Sequence, residues 1–201
     1  MQTLKFLKSK LGYGVGAIGL DLSYGMFYSY LSYYLSSVVG LEEGFLLLIT
    51  PLARIWDGIN DPMMGTIVDR TRSKYGKCRP YLFFVPGIVM ITTILTFING
   101  QYSGANSATT NALIIGWAGV SYILWGMTYT AGDIPIWGIT ALMTESDKDR
   151  SKLLGWARIV GGVGSAIIMV AIIPVSQAVG AMFTDNGMTQ AKGLQYGFIV
   201  V

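Results

Sequence analysis

The sequence predicts an all-helical membrane protein, and three observations carry that prediction. Hydrophobic residues fill 52% of the 201 positions, charged residues only 12%, and mean hydropathy is +0.52. A soluble domain carries roughly 25% charged residues, so this chain lacks the charge to cover such a surface. Five long apolar segments alternate with short polar ones, and Lys and Arg gather in alternate connections. Together these features exclude a soluble enzyme, a disordered tail and a nucleic-acid-binding module. The lone Cys78 excludes an internal disulfide, and the absence of His removes the usual proton shuttle and metal ligand. After Lys10 the apolar stretch runs far beyond a signal-peptide core, so no cleaved leader is expected.

Spans are expected near residues 13–39, 44–68, 80–98, 110–142 and 153–183. A spanning helix needs about 20 mainly apolar residues, and the longer segments must tilt or kink. A sixth segment, 194–201, is too short to cross, which predicts a truncated sixth helix. Lys5, Lys8 and Lys10 precede the first span. Arg70, Arg72, Lys74, Lys77 and Arg79 follow the second, and Lys148, Arg150 and Lys152 follow the fourth. Only Lys192 lies in the opposite connections, which predicts a cytoplasmic amino terminus.

Four acids fall inside apolar segments: Asp21, Asp57, Asp61 and Asp133. Each charge at a helix centre costs about 2.5–3.5 kcal/mol on insertion scales, so all four need a polar interior, a base or neutralisation. Only Arg54 and Arg158 are available as bases, leaving two negative charges that a bound cation or protonation would offset. Arg54, Asp57, Asn60 and Asp61 fall within an arc of roughly 120° on a helix, one polar stripe. Pro62 cannot donate to the Gly58 carbonyl, so that oxygen either joins two carboxylates and an amide as a ligand or is simply the acceptor at a kink. Thr130, one turn before Asp133, offers a hydroxyl. Spacings of four place Tyr129, Asp133 and Trp137 on one side of the fourth span. A carboxylate beside an indole face suits a sugar ring, although Trp137 also fits an interfacial anchor and Arg158 a residue that snorkels to the surface. The alternative is an ion-pair network, Arg54 with Asp57 and Asp21 with Arg158, that only ties helices together. Gly12, Gly14, Gly16 and Gly19, and Gly161, Gly162 and Gly164, are expected to allow close helix contact.

Residues 53–65, Ala-Arg-Ile-Trp-Asp-Gly-Ile-Asn-Asp-Pro-Met-Met-Gly, lead to Asp-Arg-Thr-Arg-Ser-Lys-Tyr-Gly-Lys-Cys-Arg-Pro at 69–80. With Tyr13-Gly14 through Asp21, and Trp125 to Thr130 followed by Asp133, Pro135 and Trp137, this pattern resembles the glycoside–pentoside–hexuronide:cation symporters. The resemblance covers spans one to five with matching spacing. It implies a major-facilitator fold, here the amino-terminal six-helix bundle with its sixth helix truncated and the carboxy-terminal bundle absent. It implies that Asp57, Asn60, Asp61 and Thr130 bind Na⁺, H⁺ or Li⁺. It also implies that Asp21, Asp133, Trp137 and Arg158 hold the sugar, with Tyr28 lining the site. Asp69, Arg70, Arg72, Gly76, Lys77 and Arg79 would form a cytoplasmic gating loop. Leu20 stands where the melibiose permease of that family carries lysine, which leaves the sugar open.

The expected activity is therefore cation-coupled symport of a sugar or glycoside by alternating access in the cell membrane, with no catalysis and no cofactor beyond the coupling ion. The expected partners are the sugar, the bilayer and a missing second bundle, with no nucleic acid. The alternatives are a cation-coupled carrier of a lipid-like or anionic solute, and a truncated product that does not transport.

Overall fold

The computed structural model describes residues 2–144, 146–184 and 190–200. The side chains of residues 2–11, 29, 43, 141, 184, 190, 191, 194 and 198 are outside that description, as is Val201 at the end of the sixth segment. The side chains of Lys5, Lys8 and Lys10 are thus among those not described.

Helix α1 (Gln2–Tyr34) continues through a π-helical turn at Leu35–Val39. It is followed by α2 (Glu43–Arg70), α3 (Arg79–Phe97), α4 (Ala108–Gly138), α5 (Thr140–Met143), α6 (Asp147–Thr184) and α7 (Gln190–Val200). No strand occurs among the described residues. By length and apolarity α3, α4 and α6 can cross a membrane, whereas α1 and α2 are more polar. That polarity is where Asp21, Arg54, Asp57 and Asp61 sit.

Local chemistry explains the boundaries. Gly40 ends the first helical unit with a left-handed φ of 84°, a conformation glycine adopts without a Cβ penalty. Ser107 caps α4 by accepting the Thr110 amide at 3.1 Å, and Pro80 opens α3 where its missing N–H is not needed. The segment expected as one span over 110–142 divides at Ile139. The Ile139 amide still reaches the Pro135 carbonyl at 2.9 Å, but the Trp137 carbonyl is taken by the Thr140 hydroxyl at 2.7 Å. A side chain thus shares that carbonyl at the break, and the helix restarts as α5.

The main packed pairs are α1 with α6, α6 with α7, α3 with α4, and α2 with α4. Glycines set the α1–α6 approach: a Cβ on Gly164 would meet Ile18 at 3.0 Å, and one on Gly25 would meet Ser165 Oγ at 3.4 Å. Phe27 of α1 lies flat on Trp125 of α4 with centroids 3.5 Å apart, and Trp125 in turn stacks on Tyr129 at 5.0 Å. The Trp125 indole donates to Thr93 Oγ1 of α3 at 2.9 Å, so this aromatic column joins three helices. Phe27 is fully buried, and Phe27→Ala should lower unfolding stability by about 3–5 kcal/mol, read as a fall in thermal midpoint in detergent. At the far end of the bundle the Tyr102 amide donates to the Val39 carbonyl at 2.7 Å. Gln195 Nε2 donates to the carbonyls of Phe97 and Asn99 there, tying α7 to the end of α3.

Candidate functional site

The polar stripe of α2 is split by its packing on α4. Ala53, Asn60 and Val68 form the buried line of the helix, so Asn60 turns inward while Arg54 and Asp61 face open space and Asp57 is half-buried between. Asp57 is the best-connected acid. It accepts the Tyr28 hydroxyl of α1 at 3.3 Å and pairs loosely with Arg54 at 3.8 Å. Arg54 also donates to Tyr24 at 3.3 Å, and its guanidinium lies 4.4 Å from the Tyr28 ring centre. One turn on, Asp61 accepts the Thr130 hydroxyl of α4 at 3.2 Å. The Asn60 amide nitrogen is buried without a hydrogen-bond partner among the described residues. Asp57, Asn60, Asp61 and Thr130 therefore share the α2–α4 seam. Tyr28, expected to line the sugar site, bonds the α2 carboxylate.

A second group spans α1, α4 and α6. Asp133 accepts the Trp137 indole N–H at 2.7 Å, and the Arg158 guanidinium covers the same indole at 4.1 Å. Asp21 lies against α6: a methyl at Gly161 would overlap its carboxylate, and its backbone carbonyl accepts Ser165 Oγ at 3.0 Å. Asp133 is close enough to interact electrostatically with Arg158, Asp61 and Asp21, which joins the two groups. Among the described residues Arg54–Asp57 is the one ion pair formed by these six charged groups; Arg158 makes none within 4 Å. The expected link between Asp21 and Arg158 is thus not a contact ion pair. Two residues of this group were not assigned to the site from the sequence. Tyr13 packs edge-on against Trp137 at 6.5 Å, and Gly161 makes room for Asp21. Neither carries a charge that would single it out.

The donor set is two carboxylates with neutral oxygens, which suits a hard monovalent cation better than a transition metal. Among the described residues no three Cys, Asp or Glu side chains cluster as a metal site. The four acids are not among the residues that line a groove of about 850 Å³ between α1, α3, α4 and the end of α7, walled mainly by apolar groups such as Val85, Pro86 and Ile136. Arg54, with a side chain 53% exposed, and Asp61 stand on an open face instead.

The loop after α2 is built around Gly76, whose φ of 92° lets the chain turn back toward α3. Ser73 Oγ donates to the Gly76 carbonyl at 2.7 Å, and Lys77 pairs with Asp69 at 3.6 Å on the surface. Arg70 ends α2, Arg72 lies in the loop and Arg79 begins α3. Cys78 is buried beside Gly138, and burial with Asp69 nearby pushes its thiol up.

Long apolar helices, with carboxylates from α1, α2 and α4 along their packed faces, are the features of a helical membrane protein that carries charge between its helices. The family described as MFS/sugar transport protein matches residues 12–200, and the chain belongs to that family. Its members are transporters, not enzymes. The chain is 29% identical over 174 residues to the "Putative glycoside/cation symporter YagG" of Escherichia coli (strain K12), covering 87% of this chain and 36% of that protein. It is 28% identical to the "Inner membrane symporter YicJ" of the same organism, with 97% and 40% covered. It is 26% identical to the "Isoprimeverose transporter" of Lactiplantibacillus pentosus, with 88% and 36% covered. The chain thus spans 36–40% of the length of these relatives.

Proposed function

We propose that this chain supplies the amino-terminal helical bundle of a symporter that moves a sugar or glycoside with Na⁺ or H⁺. The carrying observation is the shortage of positive charge: four carboxylates and two bases share the α1, α2, α4 and α6 seams, with one loose ion pair among them. Asp57, Asn60, Asp61 and Thr130 take the cation. Asp21, Asp133, Trp137 and Arg158 take the sugar, whose ring replaces the Arg158 guanidinium on the indole. A second bundle supplies the other wall of the cavity, over the open face that carries Arg54 and Asp61. Helices α1, α2, α3, α4 and α6 are the spans, in the cell membrane, with the amino terminus and the Asp69–Arg79 loop cytoplasmic. That placement is supported by the eleven Lys and Arg at one end against Lys192 at the other. The loop, with Asp69, Arg70, Arg72, Gly76, Lys77 and Arg79, gates the cavity from that side.

By linkage, cation bound at Asp57 and Asp61 raises sugar affinity by the factor with which sugar raises cation affinity, typically about 5–150-fold. Counterflow with a panel of glycosides at varied Na⁺ and pH, on the protein encoded by the complete reading frame, tests this. Exchange of a glycoside that rises with Na⁺ or falling pH is expected. Exchange of an anionic or lipid-like solute with no glycoside exchange overturns the substrate class.

A further inference from the structure

Tyr13 of α1 is 93% buried, packed with Ala17, Ile136 and Ala157 where α1, α4 and α6 meet. Its ring stands edge-on to Trp137, with centroids 6.5 Å apart and planes at 84°. Its hydroxyl oxygen is buried and has no hydrogen-bond partner among the described residues. A buried hydroxyl left unpaired is a standing penalty. An arrangement that pairs it is favoured by that amount. The charged groups that reach it electrostatically are Arg158, Asp133 and Asp21, the residues assigned above to the sugar. Arg158 cannot accept a hydrogen bond, so the acceptors within that set are the two carboxylates. Asp133 already takes the Trp137 indole N–H on Oδ1, and a carboxylate has further lone pairs for a second donor.

We propose that Tyr13 is a positioning residue for the sugar site: its hydroxyl is unbonded in the present arrangement and donates to the Asp133 carboxylate when a sugar is bound. This rests on the sugar assignment under Proposed function. When a sugar ring displaces the Arg158 guanidinium from the indole, Trp137 and Asp133 must shift together to meet it. The Tyr13 hydroxyl then fixes the orientation of Asp133, while its ring edge steadies Trp137. Tyr13 touches the sugar only through these two residues, and its contribution is specific to the loaded state.

The test is Tyr13→Phe, which removes the hydroxyl and keeps the ring contact. The full-length protein is purified in detergent, and the probe is the nitrophenyl glycoside with the strongest counterflow. Sugar Kd is expected to rise about tenfold, the size of one hydrogen bond to a charged group. The Na⁺ Kd without sugar should not change. The thermal midpoint without sugar should be equal or higher, since an unpaired buried hydroxyl has been removed. Tyr34→Phe is the contrast. The Tyr34 hydroxyl donates to the Phe97 carbonyl at 2.5 Å, so this change should lower the sugar-free midpoint and leave sugar Kd alone. An unchanged sugar Kd in Tyr13→Phe overturns the proposal, as does a lower sugar-free midpoint, which would mean the hydroxyl is already bonded. Wild-type protein that binds no glycoside removes the underlying sugar assignment, and the role of Tyr13 with it.

Discussion

Asp57→Cys is expected to abolish cation-driven sugar accumulation while the protein still inserts. Asp57 is where the charge shortage and the hydrogen bonds meet: it accepts Tyr28, faces Arg54 and stands one turn from Asp61. A neutral thiol there takes away one of the two carboxylates offered to the cation. It also leaves the Tyr28 hydroxyl without its acceptor and Arg54 without its ion pair. Loss of cation binding removes the coupling factor of about 5–150-fold in sugar affinity. Uptake into vesicles should then be equal with and without a Na⁺ gradient, and sugar exchange should persist at higher substrate concentration. Maleimide labelling checks insertion. Within this chain the native Cys78 is buried with its thiol pushed up, so it presents little of the reactive thiolate, and wild-type protein labelled in parallel gives the background. Full Na⁺ stimulation in this variant would remove Asp57 from the coupling site.

Gly161→Ala should weaken sugar binding at least tenfold with Na⁺ binding retained. The Asp21 carboxylate occupies the space a methyl would need, so the side chain must turn away from α6. Misplacing a charged hydrogen-bonding partner costs about 1.5–3 kcal/mol, or roughly 10–150-fold in affinity. The neighbouring Gly162 provides the comparison, because a Cβ there meets nothing within 4 Å. Gly162→Ala should bind sugar as wild type. Equal losses in the two variants would mean that helix α6 itself, rather than the seat of Asp21, had been disturbed.

The helices were legible because apolar runs and polar connections differ sharply in this chain, and the α2 stripe because charge in an apolar run has few explanations. Side-chain partners were not legible. Helical spacing put Asn60 on the same arc as Asp57 and Asp61, but the seam with α4 draws Asn60 inward and leaves Asp61 on the open face. Gly161 carried the same packing expectation as Gly162 and Gly164, and only the approach of Asp21 from α1 separates them. Tyr13 was one aromatic among many in a glycine-rich stretch until Trp137 was placed beside it. The division at Ile139, where the Thr140 hydroxyl bonds the Trp137 carbonyl, is one that apolar periodicity does not register.

That division changes what Trp137 can do. An indole in mid-helix turns only by straining the backbone bonds on both sides of it. Here the main-chain oxygen of Trp137 accepts the Thr140 hydroxyl, and α4 ends one residue later. The turn that carries Trp137 can therefore loosen by giving up the Ile139–Pro135 backbone bond and that hydroxyl, which gives the ring a swivel at its base, with the main chain of Asp133 a full turn deeper in unbroken helix.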